Sequence, residues 1–210
     1  MAANILAGIS RPALGNRSDP ANARTKTLRA LLREQTHAAH TLLETTPLMR
    51  AMASGAPSVD EYRGYLAHQY QLHAALETVL AQWVSPEWHR VRLAKADWLR
   101  GDLVAMGGST DYCKVEIPTV GSTTDAMGVL YVIEGGTLGL QVLCKRMPGD
   151  HPALRGAGRF MRSYGTETGR NWAAFVAHLE DLPEASWPEA VDAGGRTFAA
   201  FQRVFQECPH

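Results

Sequence analysis

The sequence predicts an all-α, single-domain bundle of about seven helices. Three observations lead there. Apolar residues recur at helical spacing in Leu28–Glu44, LRALLREQTHAAHTLLE. Helix-start signals recur along the chain, at Ser58 with Glu61, at Ser85-Pro86 and at Ser186 with Glu189. Strand-like alternation, internal repeats and low-complexity tracts are missing from the sequence.

The elements follow in order. Residues 1–24 combine Pro, Gly, Asn, Ser and Arg without periodicity and read as a flexible N-terminal arm before a domain over 25–210. The first helix is expected at about 25–45, stopping before Pro47, with Leu28, Leu31, Leu32, Ala39, Leu42 and Leu43 as its buried stripe. Gly55-Ala56-Pro57 reads as a turn. Ser58 and Glu61 form a capping box that opens a long helix to about 84. Ser85-Pro86 ends it and starts another, because Pro is favoured at the first helical position; this one runs to about Met106. Residues 107–120 form the longest loop. A helix over about Ser122–Met147 follows, interrupted by Gly135, Gly136 and Gly139 and ended by Pro148-Gly149. Shorter helices are expected at 151–163 and 167–181, and the Ser186/Glu189 capping box opens the last, to about Glu207.

Composition bounds the function. The 210 residues suffice for an independent core. Lys+Arg and Asp+Glu are both 21, so no global field draws in nucleic acid or anionic lipid. Cys113, Cys144 and Cys208 are odd in number and match no zinc or redox spacing, which suggests a reduced, cytoplasmic setting. The start, MAANILAGIS, lacks the features of a secretory signal, and no apolar run is expected to span a membrane.

On the edge of the first helix stand Arg33, His40 and Glu44. At about 100° per residue, Arg33 and His40 differ by about 20° around the axis and about 10 Å along it. A histidine with a cation two turns before it and a carboxylate one turn after it could hold an iron and an anionic arm of one flat ligand. That points to heme. A carboxylate accepting from one imidazole nitrogen leaves the other for the metal. The plain alternative is a polar His40–Glu44 pair at a helix edge. His37 with Glu34 gives one E-x-x-H, but a di-iron site needs a second, which the chain lacks. His73 with Glu77 reads as a surface or inter-helix pair. His68, His89, His151, His178 and His210 have no supporting constellation.

Tyr131–Val142, YVIEGGTLGLQV, places three glycines within five positions of a helix, each costing about 1 kcal/mol relative to alanine. Close helix packing through Gly135-x-x-x-Gly139 or close approach of backbone to a flat ligand could offset this. A phosphate loop or dinucleotide fingerprint does not fit the spacing.

Taken together, the two segments resemble the heme oxygenases, which open heme to biliverdin, and among them the bacterial enzymes that accompany bacteriophytochromes. The likeness covers most of residues 27–207. Its first motif is a basic residue, a histidine seven places on, then Thr and a Glu at +4: here Arg33, His40, Thr41 and Glu44. Its second is the glycine-bearing distal helix, with Gly135 and Gly139 in register with Gln141-Val142. On the last helix Phe198 and Phe205 match an F-x6-F pattern whose first Phe packs on heme. Gly136 stands where many members have Asp, and Phe201 where an Asn is expected, so the distal polar network must be built differently.

The resemblance implies heme between a proximal helix and a glycine-kinked distal helix, as cofactor and substrate at once. His40 would bind the iron, oriented by Glu44. Gly135 and Gly139 would admit and direct O₂, with Gly136 beside them. Arg33 would pair with a propionate, and Phe198 would pack on the ring. Tyr131, Arg159, Arg162 and Arg170 are further propionate candidates. It also implies an external electron donor (a ferredoxin, a reductase or ascorbate), release of CO and Fe²⁺, a bacteriophytochrome as recipient of the bilin, and a monomer. Three alternatives stand beside it: a heme carrier without turnover, a thiaminase-like enzyme of the same fold, and a helical interaction scaffold.

Overall fold

The structure, a computed structural model, describes residues 27–110 and 115–207. Nine α-helices and three short 3-10 turns order the described residues, and no strand occurs among them. The predicted N-terminal arm, Cys113, Cys208 and His210 lie outside the described residues.

Helix α1 spans Leu28–Glu44, with the Thr27 hydroxyl accepting from the Ala30 amide at 3.2 Å. The Glu180 carboxylate also accepts the Leu28 and Arg29 amides, at 2.9 and 3.1 Å. A carboxylate there satisfies orphan donors and opposes the positive end of the helix dipole. The buried face is Leu28, Leu32, Thr36 and Leu43. The expected stripe was too wide: Leu42 is 49% exposed and Leu31 only half-buried. Leu42 stands about 100° around the axis from Leu43, beyond the covered stripe.

Helix α2, Pro47–Ser54, was not expected. Pro47 occupies its first turn, and Gly55 closes it in the left-handed region at φ 81°. A Cβ at Gly55 would also stand 2.7 Å from the Arg146 carbonyl oxygen, so a side chain is excluded twice over. The Ser58/Glu61 capping box forms in both directions and opens α3, Val59–Leu80.

The single helix predicted to Met106 is two, α4 at Pro86–Arg92 and α5 at Lys95–Ala105. A buried carboxylate explains the break. Glu77 Oε1 accepts the Lys95 amide at 2.9 Å and the Ala96 amide at 3.1 Å, capping a new N-terminus.

Helix α6 covers Thr123–Arg146, capped by the Ser122 hydroxyl. Its three glycines do not interrupt it. By length and composition α6 could cross a membrane, but it packs against four neighbours as a core helix.

The region predicted as one helix at 151–163 is a 3-10 turn at Pro152–Leu154 and a short α7 at Arg159–Arg162. The buried Asp102 carboxylate accepts the Arg159 and Phe160 amides, at 3.0 and 2.8 Å, and fixes where α7 starts. Helix α8 is Thr168–Glu180 and α9 is Trp187–Glu207. The expected Ser186/Glu189 box does not form. Ser186 donates to the Pro183 carbonyl at 2.8 Å, and Glu189 accepts from Ser122.

Helix α9 is the common floor. Both α1 and α6 pack along it, and they form no comparable interface with each other. A Cβ at Gly128 of α6 would stand 2.1 Å from the Ala190 carbonyl oxygen, so the α6–α9 crossing needs glycine there. A Cβ at Gly194 would meet Leu32 of α1 at 3.0 Å. The two predicted site helices are thus held side by side on one support.

Candidate functional site

On α1, His40 Nδ1 lies 3.6 Å from Glu44 Oε1, long for a full hydrogen bond but close enough to orient the ring. The imidazole meets Phe198 of α9 edge to face, centroids 5.6 Å apart. Gln202 of α9 donates to the Ala39 carbonyl at 2.7 Å, which pins α1 beside the histidine. Burial pushes the His40 pKa below its ordinary value; Glu44 opposes this and the nearby His37 adds to it. At neutral pH the ring is therefore uncharged, the form that binds metals. Its Nε2 is left for a ligand.

On α6, Tyr131 is half-buried, and desolvation raises its pKa while Arg33 and Arg29 of α1 act to lower it. Both guanidinium groups are thus within electrostatic reach of this phenol. Arg33 was expected here. Arg29, one turn earlier on the same edge, was missed, although its i, i−4 relation to Arg33 was visible. From Arg33 to His40 is about 10 Å along α1, and from Tyr131 to Gly139 about 12 Å along α6.

The glycines follow. An added Cβ at Gly136 or Gly139 would meet nothing within 4 Å, and at Gly135 it would first touch the Trp172 ring of α8, at 3.7 Å. That Trp also tilts against Tyr131, centroids 5.9 Å apart. So Gly136 and Gly139 are not demanded by protein packing. Space is free there for a ligand that a side chain would obstruct.

Other predicted groups stand elsewhere. Arg159 stacks over Trp98 at 3.8 Å and donates to the Ser163 carbonyl. The Arg162 guanidinium fills the space beside Gly158. Arg170 is exposed and pairs with Glu167 at 3.1 Å. Phe205 packs on Tyr65 and His68, and Phe201 on His73. His37 and Glu34 are exposed. Among the described residues no cluster of three His, Cys, Asp or Glu side chains could hold a metal ion. A lone imidazole suits a metal that brings its own ligands. A surface depression lined by Ala81, Val84, Pro86, His89 and Arg90 takes no group from α1 or α6.

The largest miss lies behind α6. Glu134 is fully buried, its Oε2 accepting from Arg92 and its Oε1 from the Lys95 ammonium, both at 2.7 Å. The Tyr164 hydroxyl donates to the same Oε1 at 2.9 Å. His73 and Glu77, expected as a surface or inter-helix pair, are buried beside this cluster, Nδ1 to Oε1 3.7 Å, which excludes the surface reading. Sequence spacing carried no signal of it, since its members come from four helices and a loop.

The fold has known counterparts. The heme oxygenase family model matches residues 26–207. A heme oxygenase from Xanthomonas campestris pv. campestris (strain 8004) is 29% identical over 160 residues, covering 73% of this chain and 94% of that protein. The NO- and CO-bound heme oxygenase of Neisseria meningitidis superposes with a TM-score of 0.69 at 25% identity, covering 86% of this chain and 91% of its own. Heme oxygenase-1 from the cyanobacterium Synechocystis sp. PCC6803, in complex with heme, gives a TM-score of 0.60 at 18% identity over 87% of this chain and 92% of that one, a likeness of fold.

Proposed function

This chain belongs to the heme oxygenase family and is a heme oxygenase; on that premise we propose how its own residues bind heme and turn it over. The reaction we assign is the opening of heme to biliverdin with release of CO and Fe²⁺, driven by O₂ and electrons from an external donor such as a ferredoxin, a reductase or ascorbate. Bound heme supplies both the iron at which O₂ reacts and the porphyrin that is consumed.

The residues fit that group. His40, neutral and oriented by Glu44 and Phe198, would hold the iron through Nε2. Arg33 and Arg29, with the Tyr131 phenol, form a cationic end suited to propionates. Gly135, Gly136 and Gly139 would keep the α6 side of a bound heme free of their own side chains, leaving room there for O₂. A Cβ at Gly135 would first meet the Trp172 ring, and one at Gly136 or Gly139 would meet nothing within 4 Å. Backbone groups and water would then serve as mild proton donors there.

The observation that carries this reading is the pairing of a neutral, half-buried His40 on α1 with Gly136 and Gly139 on α6, whose Cβ positions are empty. The N-terminal residues 1–24 as an arm, a monomeric state, a cytoplasmic site and delivery of biliverdin to a bacteriophytochrome complete the proposal. The odd cysteine count, with no zinc or redox spacing, supports the cytoplasmic assignment.

The test is turnover of the heme-loaded protein in air with ascorbate or a reductase. Conversion of the Soret band to a biliverdin spectrum supports the assignment. A Soret band that persists identifies a carrier, and no stoichiometric band at all identifies a scaffold.

A further inference from the structure

We infer that the buried Glu134 carboxylate, held by Arg92, Lys95 and Tyr164, is a positioning group that fixes the glycine face of α6 and the Trp172 ring beside it. The inference rests on the proposed role of that face toward heme.

Glu134 directly precedes Gly135 in the chain. The three ammonium protons of Lys95 have three acceptors: the Arg92 carbonyl at 2.8 Å, Glu134 Oε1 at 2.7 Å and the Tyr164 hydroxyl at 2.9 Å. Burial and the Glu134 charge push the Tyr164 pKa far up, so its hydroxyl stays protonated and donates to Glu134. Arg92 and Lys95 occupy both oxygens of Glu134, and Glu77 accepts the backbone amide of Lys95, so each member of the cluster is bonded to another. Its geometry therefore has little freedom.

Arg92 carries the constraint onward. One guanidinium nitrogen bonds Glu134, and the other donates to the Asn171 carbonyl of α8 at 3.2 Å. The guanidinium also stacks over Trp88, at 4.3 Å. The residue after Asn171 is Trp172, whose ring is the first group a Cβ on Gly135 would touch. One guanidinium thus fixes both neighbours of the same glycine, the helix that carries it and the ring that abuts it. The chain enters this cluster through a costly turn: Ser163, just before Tyr164, has φ 45°, a value that favours glycine.

Stability alone does not account for the arrangement. Buried ion pairs are often replaceable by apolar residues without loss of stability, whereas they can specify one packing over others. Positional control of α6 is the role that fits.

The experiment is residue-resolved hydrogen exchange on the heme-free protein, comparing wild type with Glu134→Gln and Tyr164→Phe. The expected result is exchange about tenfold faster at the amides of Gly136–Gly139 and around Trp172, with α1 changed less than about twofold. Tyr164→Phe, which leaves the charges intact, should show the same pattern more weakly. Ferrous–CO complexes of both variants should show a shifted or broadened C–O stretch. A uniform acceleration over all helices, or none, overturns the inference. Should Glu134→Gln fail to fold, Tyr164→Phe decides alone: a local effect supports positioning and its absence refutes it. The exchange result stands even if wild type shows no turnover, which would count only against the proposed reaction.

Discussion

His40 Nδ1 and Glu44 Oε1 stand 3.6 Å apart on successive turns of α1, and Phe198 closes on the same imidazole at a centroid distance of 5.6 Å. The carboxylate selects which ring nitrogen is left over, and the phenyl ring limits its rotation. His37, one turn earlier, is exposed and has neither support.

His40→Ala should therefore abolish the imidazole-ligated heme spectrum and most turnover, while His37→Ala retains both. Optical spectra of the ferric and ferrous–CO forms check this. Equal loss in the two variants, or loss at His37 alone, reassigns the ligand.

Gly139→Ala should raise the stability of the heme-free protein by up to about 1 kcal/mol, because it restores helix propensity and its Cβ meets nothing within 4 Å. Gly139→Val should block heme loading or turnover by filling the free space. Urea unfolding and heme titration separate the two effects. Normal turnover in the valine variant would mean that the open glycine face has no role. Gly128→Ala is the control at the α6–α9 crossing, where the added Cβ would stand 2.1 Å from a carbonyl oxygen. It should cost about 1–3 kcal/mol through overpacking.

Removing either cation near Tyr131 should weaken heme binding in a salt-dependent way. Arg33→Ala and Arg29→Ala should each cost about 0.5–1 kcal/mol of affinity, since these are exposed charges. A heme dimethyl ester, which lacks the carboxylates, should show no such loss. Equal losses with the ester would move the propionate end elsewhere.

Acid should destabilise the fold through His73. Burial holds its pKa below the ordinary 6.5 against the opposing Glu77 and Glu134, with Lys95 assisting. Below that value the unfolded chain takes up a proton that the folded ring refuses, so stability is full above pH 6.5 and falls as pH drops toward the lowered folded value. Urea unfolding at pH 7.5 and 5.5 should show a smaller loss for His73→Gln than for wild type. Parallel losses would place the acid sensitivity in other groups.

The sequence made α1, the capped start of α3 and the helix carrying the glycines legible, because periodicity and capping are local. It also placed Arg33, His40 and Glu44 on one edge, and that edge is where the structure sets Phe198 and Tyr131. What it could not show was decided by distant partners. Glu77 splits α4 from α5, Asp102 starts α7, and Glu134 gathers its cations across the interior. Helix α2 was readable in principle, from Pro47 at its start and Gly55 at its end, but eight residues give too little periodicity to stand out.

A crystal structure of the heme complex tests the central claim most directly. The account predicts iron bonded to His40 Nε2, propionates beside Arg33 and Arg29, and the porphyrin between α1 and the Gly135–Gly139 face of α6. A heme bound elsewhere, or a His40 ring turned into solvent, would contradict it.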